Sequence, residues 1–198
     1  MSDTRARLAR STGGRTACAL VLAAALAACG GSNSAPVADV APSSRATPSA
    51  AASSPACPIT ATEVKAPAGA TKDLKTKPVV TGTTSPPPVV IQYADVVRGT
   101  GAQAVTGSQV EVKYVGAFYD TGKEFDSSWS RGADQTLPFG ICQTGVIPGF
   151  AVGPSGMKVG GRRIITIPSA FGYGPTGKPP IPGGAALVFV VDLVAVKA

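Results

Sequence analysis

Histidine is absent from all 198 residues. That one gap removes Ser-His-Asp triads, Cys-His nucleophile pairs and imidazole-bearing zinc sites together. Charge is thin as well, with only 11 acidic residues in the chain. Asp120 and Asp126 flank a turn, and no second acid joins them at a fixed helical offset, so nothing supports a paired-carboxylate hydrolase. Aromatics amount to 6% of the chain with a single Trp. They do not interleave with a basic stripe, which argues against nucleic-acid binding. The longest apolar run, Ala17 to Ala28, holds 12 residues, against the roughly 20 that a membrane-spanning helix requires. No cofactor and no metal are expected.

What is present begins with an export signal. Arg5, Arg7, Arg10 and Arg15 precede the apolar run, and Cys29 follows it. A positive segment followed by a short apolar one is the pattern of a cleaved leader. Leu26-Ala-Ala-Cys29 resembles the bacterial lipobox, which implies lipidation of Cys29 as the mature N-terminus. The other reading is an ordinary secretory signal cut near Ala28. The expected organisation is a lipoprotein-type signal peptide at 1–28, a flexible low-complexity linker at 29–56, an N-terminal extension at 57–88 and a folded domain at 89–198. Four arginines and Asp3 leave with the leader, so the net charge falls from +7 to +4. The remaining excess, spread over Lys65, Lys72, Lys75, Lys77, Arg162 and Arg163, reads as solvated surface. The expected location is extracytoplasmic, with the lipid holding the chain to a bacterial cell membrane.

The linker is Gly, Ser, Ala and Pro with almost no large apolar side chain. It cannot bury enough surface to offset chain entropy. Export also permits disulfides. Cys18 leaves with the leader and Cys29 carries lipid, so Cys57 and Cys142 remain as an even pair. Bridged, they would tie the extension to the domain and close 85 residues (142 minus 57), worth about 4.5 kcal/mol in the chain-entropy treatment. The other reading is two unpaired thiols, with Cys142 packed as a small apolar residue.

From Val89 onward the pattern is β. Val89, Ile91 and Tyr93 alternate with polar or small residues, as do Val110, Val112 and Tyr114, which predicts half-buried strands. Asp120-Thr-Gly-Lys123 is a turn with Gly122 at positive φ. Ile164 to Ile167 and Leu187 to Val196 are the later strands; the last is apolar on both faces, hence interior or covered by the extension. Lys77-Pro-Val-Val-Thr81 reads as an edge strand, and Pro86-Pro-Pro88 as a stiff spacer. One helix is expected after Pro148, shortened or kinked by Gly153 and Pro154 and ending before Met157. Gly172-Tyr-Gly-Pro-Thr-Gly177-Lys178 imitates a phosphate loop, but Pro179 and Pro180 follow where a helix must start. Nucleotide binding is excluded, and the loop is expected to rim a cleft.

Four motifs then fall in order: Tyr114-Val-Gly116, Phe125-Asp126-Ser-Ser128, Val146-Ile-Pro-Gly149 and Tyr173-Gly174, closed by Ala186-Leu-Val-Phe189-Val-Val-Asp192-Leu193. Together they resemble the FKBP-type peptidyl-prolyl cis-trans isomerases. The resemblance implies an α+β fold, a curved antiparallel β-sheet wrapped around one short α-helix. It also implies that proline-containing polypeptides are the substrates and that macrolides can be ligands. Tyr114, Phe125 and Phe189 would wall an apolar pocket, Val146 and Ile147 would line one side, and Phe150 would be its floor, where the family most often has Trp. The Ile147 backbone N–H and the Tyr173 hydroxyl would hold substrate carbonyls, and the Asp126 carboxylate would face the twisting amide.

Some positions depart from the family pattern. The stretch from Phe125 to Val146 is two residues longer than usual, around Ile141 to Thr144, and Gln135 or Leu137 stands where an aromatic wall residue is often found. The loop from Gly177 to Ala185 is a residue short, with Lys178 and Pro180 at its rim. These changes imply a more open pocket edge and weaker macrolide binding. They also keep two rivals in view: a non-catalytic binding module or holdase chaperone of the same fold, and a surface adhesin-type lipoprotein.

Overall fold

Period-2 alternation accounts for most of the strands in the structure, a computed structural model that describes residues 57–197. The expected leader, the lipidation site Cys29 and the linker lie outside those residues. In chain order the elements are β1 (Ala61–Glu63), β2 (Ile91–Val97), β3 (Gln109–Phe118), β4 (Glu124–Ser127), β5 (Leu137–Gly140), α1 (Pro148–Val152), β6 (Arg162–Ile167) and β7 (Leu187–Lys197). They form one seven-stranded sheet in the order β1-β2-β6-β7-β3-β4, with β5 also paired to β3. Every pairing is antiparallel except β1 with β2. The α+β class with one short α-helix is the expected fold.

The doubly apolar β7 is interior, between β6 and β3. Its odd-numbered residues Leu187, Phe189, Val191 and Leu193 enter the core with Ile165 and Ile167 of β6 and Val110, Val112 and Tyr114 of β3. Its even-numbered residues face the other way. Val188 and Val190 help line a cavity of about 480 Å³ that the extension roofs with Val64 to Thr71 and Pro78 to Thr83. Both faces of β7 are thus covered, which is why its sequence shows no alternation.

Helix α1 is as short as Gly153 and Pro154 require. Pro148 opens it, where a missing N–H costs nothing. Gly149 and Gly153 lie against Ile167 and Ile165, too close for a Cβ at either position. The helix thereby seats directly on β6 and carries Phe150 into the core.

Three details correct the sequence reading. Residues 77–81 are not a strand; the nearest backbone bond to the β3–β4 turn comes just after them, from the Thr83 N–H to the Tyr119 carbonyl at 3.2 Å, and Pro78 has no N–H to extend a ladder. The edge strand is β1 instead, three residues long and mostly exposed, too short to show a period. Third, Arg162 and Arg163 are not solvated but 1% and 4% exposed. Arg162 uses all five of its N–H groups: two on the Asp192 carboxylate and three on the carbonyls of Thr71, Asp73 and Thr76 in the extension. Arg163, its neighbour on the opposite face, grips Asp95 and caps the carbonyls of Gly153 and Ser155 just after α1. Its guanidinium also lies 4.0 Å from the Tyr93 ring centre. The extension is joined a second time at Cys57, which is bonded to Cys142 with Cα atoms 5.7 Å apart.

Burial pushes the Asp192 carboxyl above its ordinary value, and the Arg162 guanidinium pulls it back. A carboxyl raised in the folded state contributes stability that is fully present below its unfolded value and is lost as pH rises through the folded one. Arg162→Met leaves that carboxylate buried without its partner, which should cost about 3–5 kcal/mol near neutral pH. The deficit should shrink on acidification as Asp192 takes up a proton. Urea unfolding of both proteins across pH measures this, and a pH-independent deficit would overturn the assignment.

Candidate functional site

Gly116 explains the spacing of the first motif. It sits two residues after Tyr114 on β3, and a Cβ there would meet Phe189 at 2.8 Å and Phe125 at 2.9 Å. Without one, the two rings close over the strand, edge to face with centres 5.7 Å apart. Phe189 in turn packs against Phe150 of α1 at 4.9 Å and Tyr114 at 6.3 Å, and Tyr114 meets Phe150 at 5.7 Å. The four aromatic residues expected to form the walls and floor of the pocket therefore make one cluster. Tyr114, Phe150 and Phe189 are buried floor, while Phe125, Val146, Ile147 and Tyr173 are partly buried around it. Two aromatics missed in the sequence belong to the same cluster: Phe118 against Phe125 at 5.2 Å and Phe139 against Phe150 at 5.0 Å. Phe139, on β5, supplies an aromatic neighbour to Phe150, whereas Leu137 is only partly buried and Gln135 is exposed.

The polar edge of the cluster is a triangle. The Tyr114 hydroxyl donates to Asp126 Oδ2 at 2.5 Å. Arg131 donates to Asp126 Oδ1 at 2.9 Å and to the Tyr114 hydroxyl at 3.0 Å. Its guanidinium carbon stands 5.5 Å from the centre of the Tyr114 ring. Arg131 closes the 3-10 turn Trp129–Arg131, and the sequence reading missed it. An Arg five residues after an Asp has no fixed geometry until the turn between them is known. Asp126 is half exposed, so the ion pair is worth orientation more than stability.

Two donors next to the cluster have no hydrogen-bond partner among the described residues, the Ile147 backbone N–H and the Tyr173 hydroxyl, and the latter feels the charge of Asp126. Ile147 precedes α1 and gives its carbonyl to the helix, which leaves its amide pointing away from the helical ladder. Burial raises the Tyr173 phenol, and the negative charge of Asp126 raises it further. Burial likewise raises Tyr114, with Asp126 adding to the effect and Arg131 opposing it. Hydrogen bonding to Tyr114 raises Arg131. Tyr114, Tyr173 and Arg131 therefore keep their protons at neutral pH. The site holds hydrogen-bond donors beside an apolar floor. Among the described residues no cluster of three or more His, Cys, Asp or Glu could ligate a metal.

The family model for FKBP-type peptidyl-prolyl cis-trans isomerase matches residues 101–194. A "Probable FK506-binding protein" of Corynebacterium glutamicum is 44% identical over 119 residues, which span 60% of this chain and 98% of that protein. An "FK506-binding protein" of Streptomyces anulatus is 43% identical over 122 residues, 61% of this chain and 97% of the relative. The crystal structure of FkpA from Escherichia coli shares 36% identity at a TM-score of 0.49, covering 60% of this chain and 52% of that one.

Because Asp126 raises both Tyr114 and Tyr173, Asp126→Asn should lower both phenol titrations. The effect should be larger at Tyr114, where Arg131 would then act unopposed. A tyrosine raised in the folded state stabilises the fold up to its unfolded value near 10, and that stability is lost as pH rises through the folded value. Tyrosinate absorbance against pH follows the four tyrosines; unchanged curves in the variant would contradict the coupling.

Proposed function

The chain belongs to the FKBP-type peptidyl-prolyl cis-trans isomerase family, and on that footing we propose that it turns Xaa-Pro bonds in exported polypeptides while anchored by a lipid on Cys29. The observation that carries the mechanism is the single cluster of Tyr114, Phe125, Phe150 and Phe189, edged by Asp126 and by two unengaged donors.

Rotation about an Xaa-Pro bond is slow because the amide is resonance-stabilised, with a barrier of roughly 18–20 kcal/mol. Twisting destroys the resonance and much of the charge separation. Water favours the planar, polar amide, while an apolar floor favours the twisted one, so moving the bond from one to the other lowers the barrier by differential binding. A thousandfold acceleration requires only about 4 kcal/mol. In this reading the proline ring rests on Phe150 between Tyr114, Phe125 and Phe189, with Val146 and Ile147 at its side. The Ile147 amide and the Tyr173 hydroxyl hold the flanking carbonyls. Asp126, fixed by Tyr114 and Arg131, faces the rotating amide. FK506-like macrolides would occupy the same floor.

A protease-coupled assay on Xaa-Pro peptides tests the mechanism. Wild type should accelerate isomerisation strongly, Asp126→Ala should lose about tenfold or more in kcat/KM, and Tyr173→Phe a few-fold. Background rates from all three proteins would sink the proposal, and suppression of client aggregation surviving Tyr173→Phe would move it to the holdase reading.

The anchor rests on the lipobox-like Leu26-Ala-Ala-Cys29, and an oxidising location is supported by the Cys57–Cys142 bond. One intact-mass measurement on membrane-extracted protein addresses both. The mass should begin at Cys29 and include acyl chains, and alkylation should add two groups only after reduction. A chain starting elsewhere, or alkylation without reduction, would contradict the respective claim.

A further inference from the structure

Ser127 and Ser128 are both 0% exposed, although nothing in an apolar pocket calls for buried hydroxyls. Their bonds explain them. Strand β4 runs antiparallel to β3 with Val115 opposite Ser127 and Gly116 opposite Asp126. The next pair would be Tyr114 with Ser128, and an antiparallel pair in that register exchanges two backbone hydrogen bonds. Only one is made: the Ser128 N–H donates to the Tyr114 carbonyl at 3.0 Å. The Tyr114 N–H donates instead to the Ser128 hydroxyl oxygen, at 2.9 Å. The Ser128 carbonyl, released from the ladder, accepts the Arg131 N–H at 3.1 Å.

That exchange starts the 3-10 turn Trp129–Arg131. The turn swings the chain back so that the Arg131 guanidinium reaches Asp126 and the Tyr114 hydroxyl. Ser127 secures the same corner: its hydroxyl donates to the Tyr114 carbonyl at 3.2 Å and accepts the Trp129 N–H at 3.1 Å. An alanine at 128 would leave the buried Tyr114 N–H with two options. It could stay unpaired, a costly state, or it could reclaim the carbonyl of residue 128 and unwind the turn. The second option withdraws Arg131.

We propose that Ser128 is a positioning residue of the isomerase: by replacing its own carbonyl in the β3–β4 ladder, it frees that carbonyl to build the turn that sets Arg131 on Asp126 and Tyr114. The inference rests on the isomerase reading above and adds a residue that acts only through Arg131. A residue that merely stabilises the fold would act independently of it.

A double-mutant cycle separates the two. Ser128→Ala and Arg131→Met should each lower kcat/KM about tenfold, mainly through kcat, and the double variant should fall to about the same level as either single. A double variant near the product, about a hundredfold down, would overturn the proposal, as would a Ser128→Ala variant of wild-type activity. Ser128→Thr, which keeps the hydroxyl, should retain activity within about threefold of wild type in the same comparison. If Ser128→Ala does not fold, Ser128→Cys, whose sulfur is a weak acceptor, takes its place in the cycle. Tyrosinate absorbance provides a readout that does not depend on turnover. Arg131 lowers the Tyr114 phenol, so both single variants should shift that titration upward, with no further shift in the double. If wild type were inactive, the isomerase reading would fail alone, and this titration would still decide the role of Ser128.

Discussion

Two adjacent arginines on β6 tie the sheet to the cover on each of its faces. Strand geometry points Arg162 and Arg163 to opposite faces. One takes three carbonyls of an extension that has almost no secondary structure, and the other takes two carbonyls after a helix of five residues. Both covers would otherwise bring backbone oxygens into the interior without partners, a penalty of roughly 1–3 kcal/mol for each. The carboxylates of Asp192 and Asp95 complete each guanidinium's shell. A sheet apolar on both faces can then accept an irregular cover on one side and a truncated helix on the other.

The same fixing determines how rigid the aromatic floor is. Phe189 pairs with Ile165 two residues along β6 from Arg163, and Phe150 lies on the helix that Arg163 caps. A desolvating site requires this, since a floor that relaxed when the proline ring arrived would give back the differential binding on which rotation depends. The cavity of about 480 Å³ lies behind Val188 and Val190, on the opposite side of β7 from Phe189. The strand separates a loosely filled face from a closely packed one, and the site is built on the packed one.

The residues that could be read from sequence are those whose role follows from side-chain type and short spacing. Tyr114 is placed by strand alternation, Gly116 and Phe125 by the family motifs they belong to, and Pro148, Gly153 and Pro154 delimit the helix by backbone chemistry alone. What escaped depends on long-range pairing. Nothing local marks Arg162 as buried, because its partners are Asp192, thirty residues later, and carbonyls some ninety residues earlier. The edge strand at Ala61–Glu63 is visible only once β2 lies beside it. Arg131 belongs to the site because a turn folds back, and Phe139 because β5 pairs with β3. Each is a consequence of topology, which propensity does not encode. Cys57 and Cys142 occupy a middle position: their parity could be counted, but their proximity could not.

On the proposed reading, the mechanism asks nothing of histidine, which the chain lacks. Proton transfer at neutral pH needs a group that titrates there, and Tyr114, Tyr173 and Arg131 are all shifted away from that range. Tyr114 and Tyr173 are raised by burial and Arg131 by its hydrogen bonds. Such groups can only orient and solvate. Rotation about an amide breaks no covalent bond and moves no proton, so orientation and desolvation are all that it requires. Replacing the family's usual Trp with Phe150 removes an indole donor, but the task of that side chain is area and apolarity. Phe139, 5.0 Å away, extends both beneath the same floor. On the proposed reading, the departure keeps the apolar area that the site requires and alters the rim.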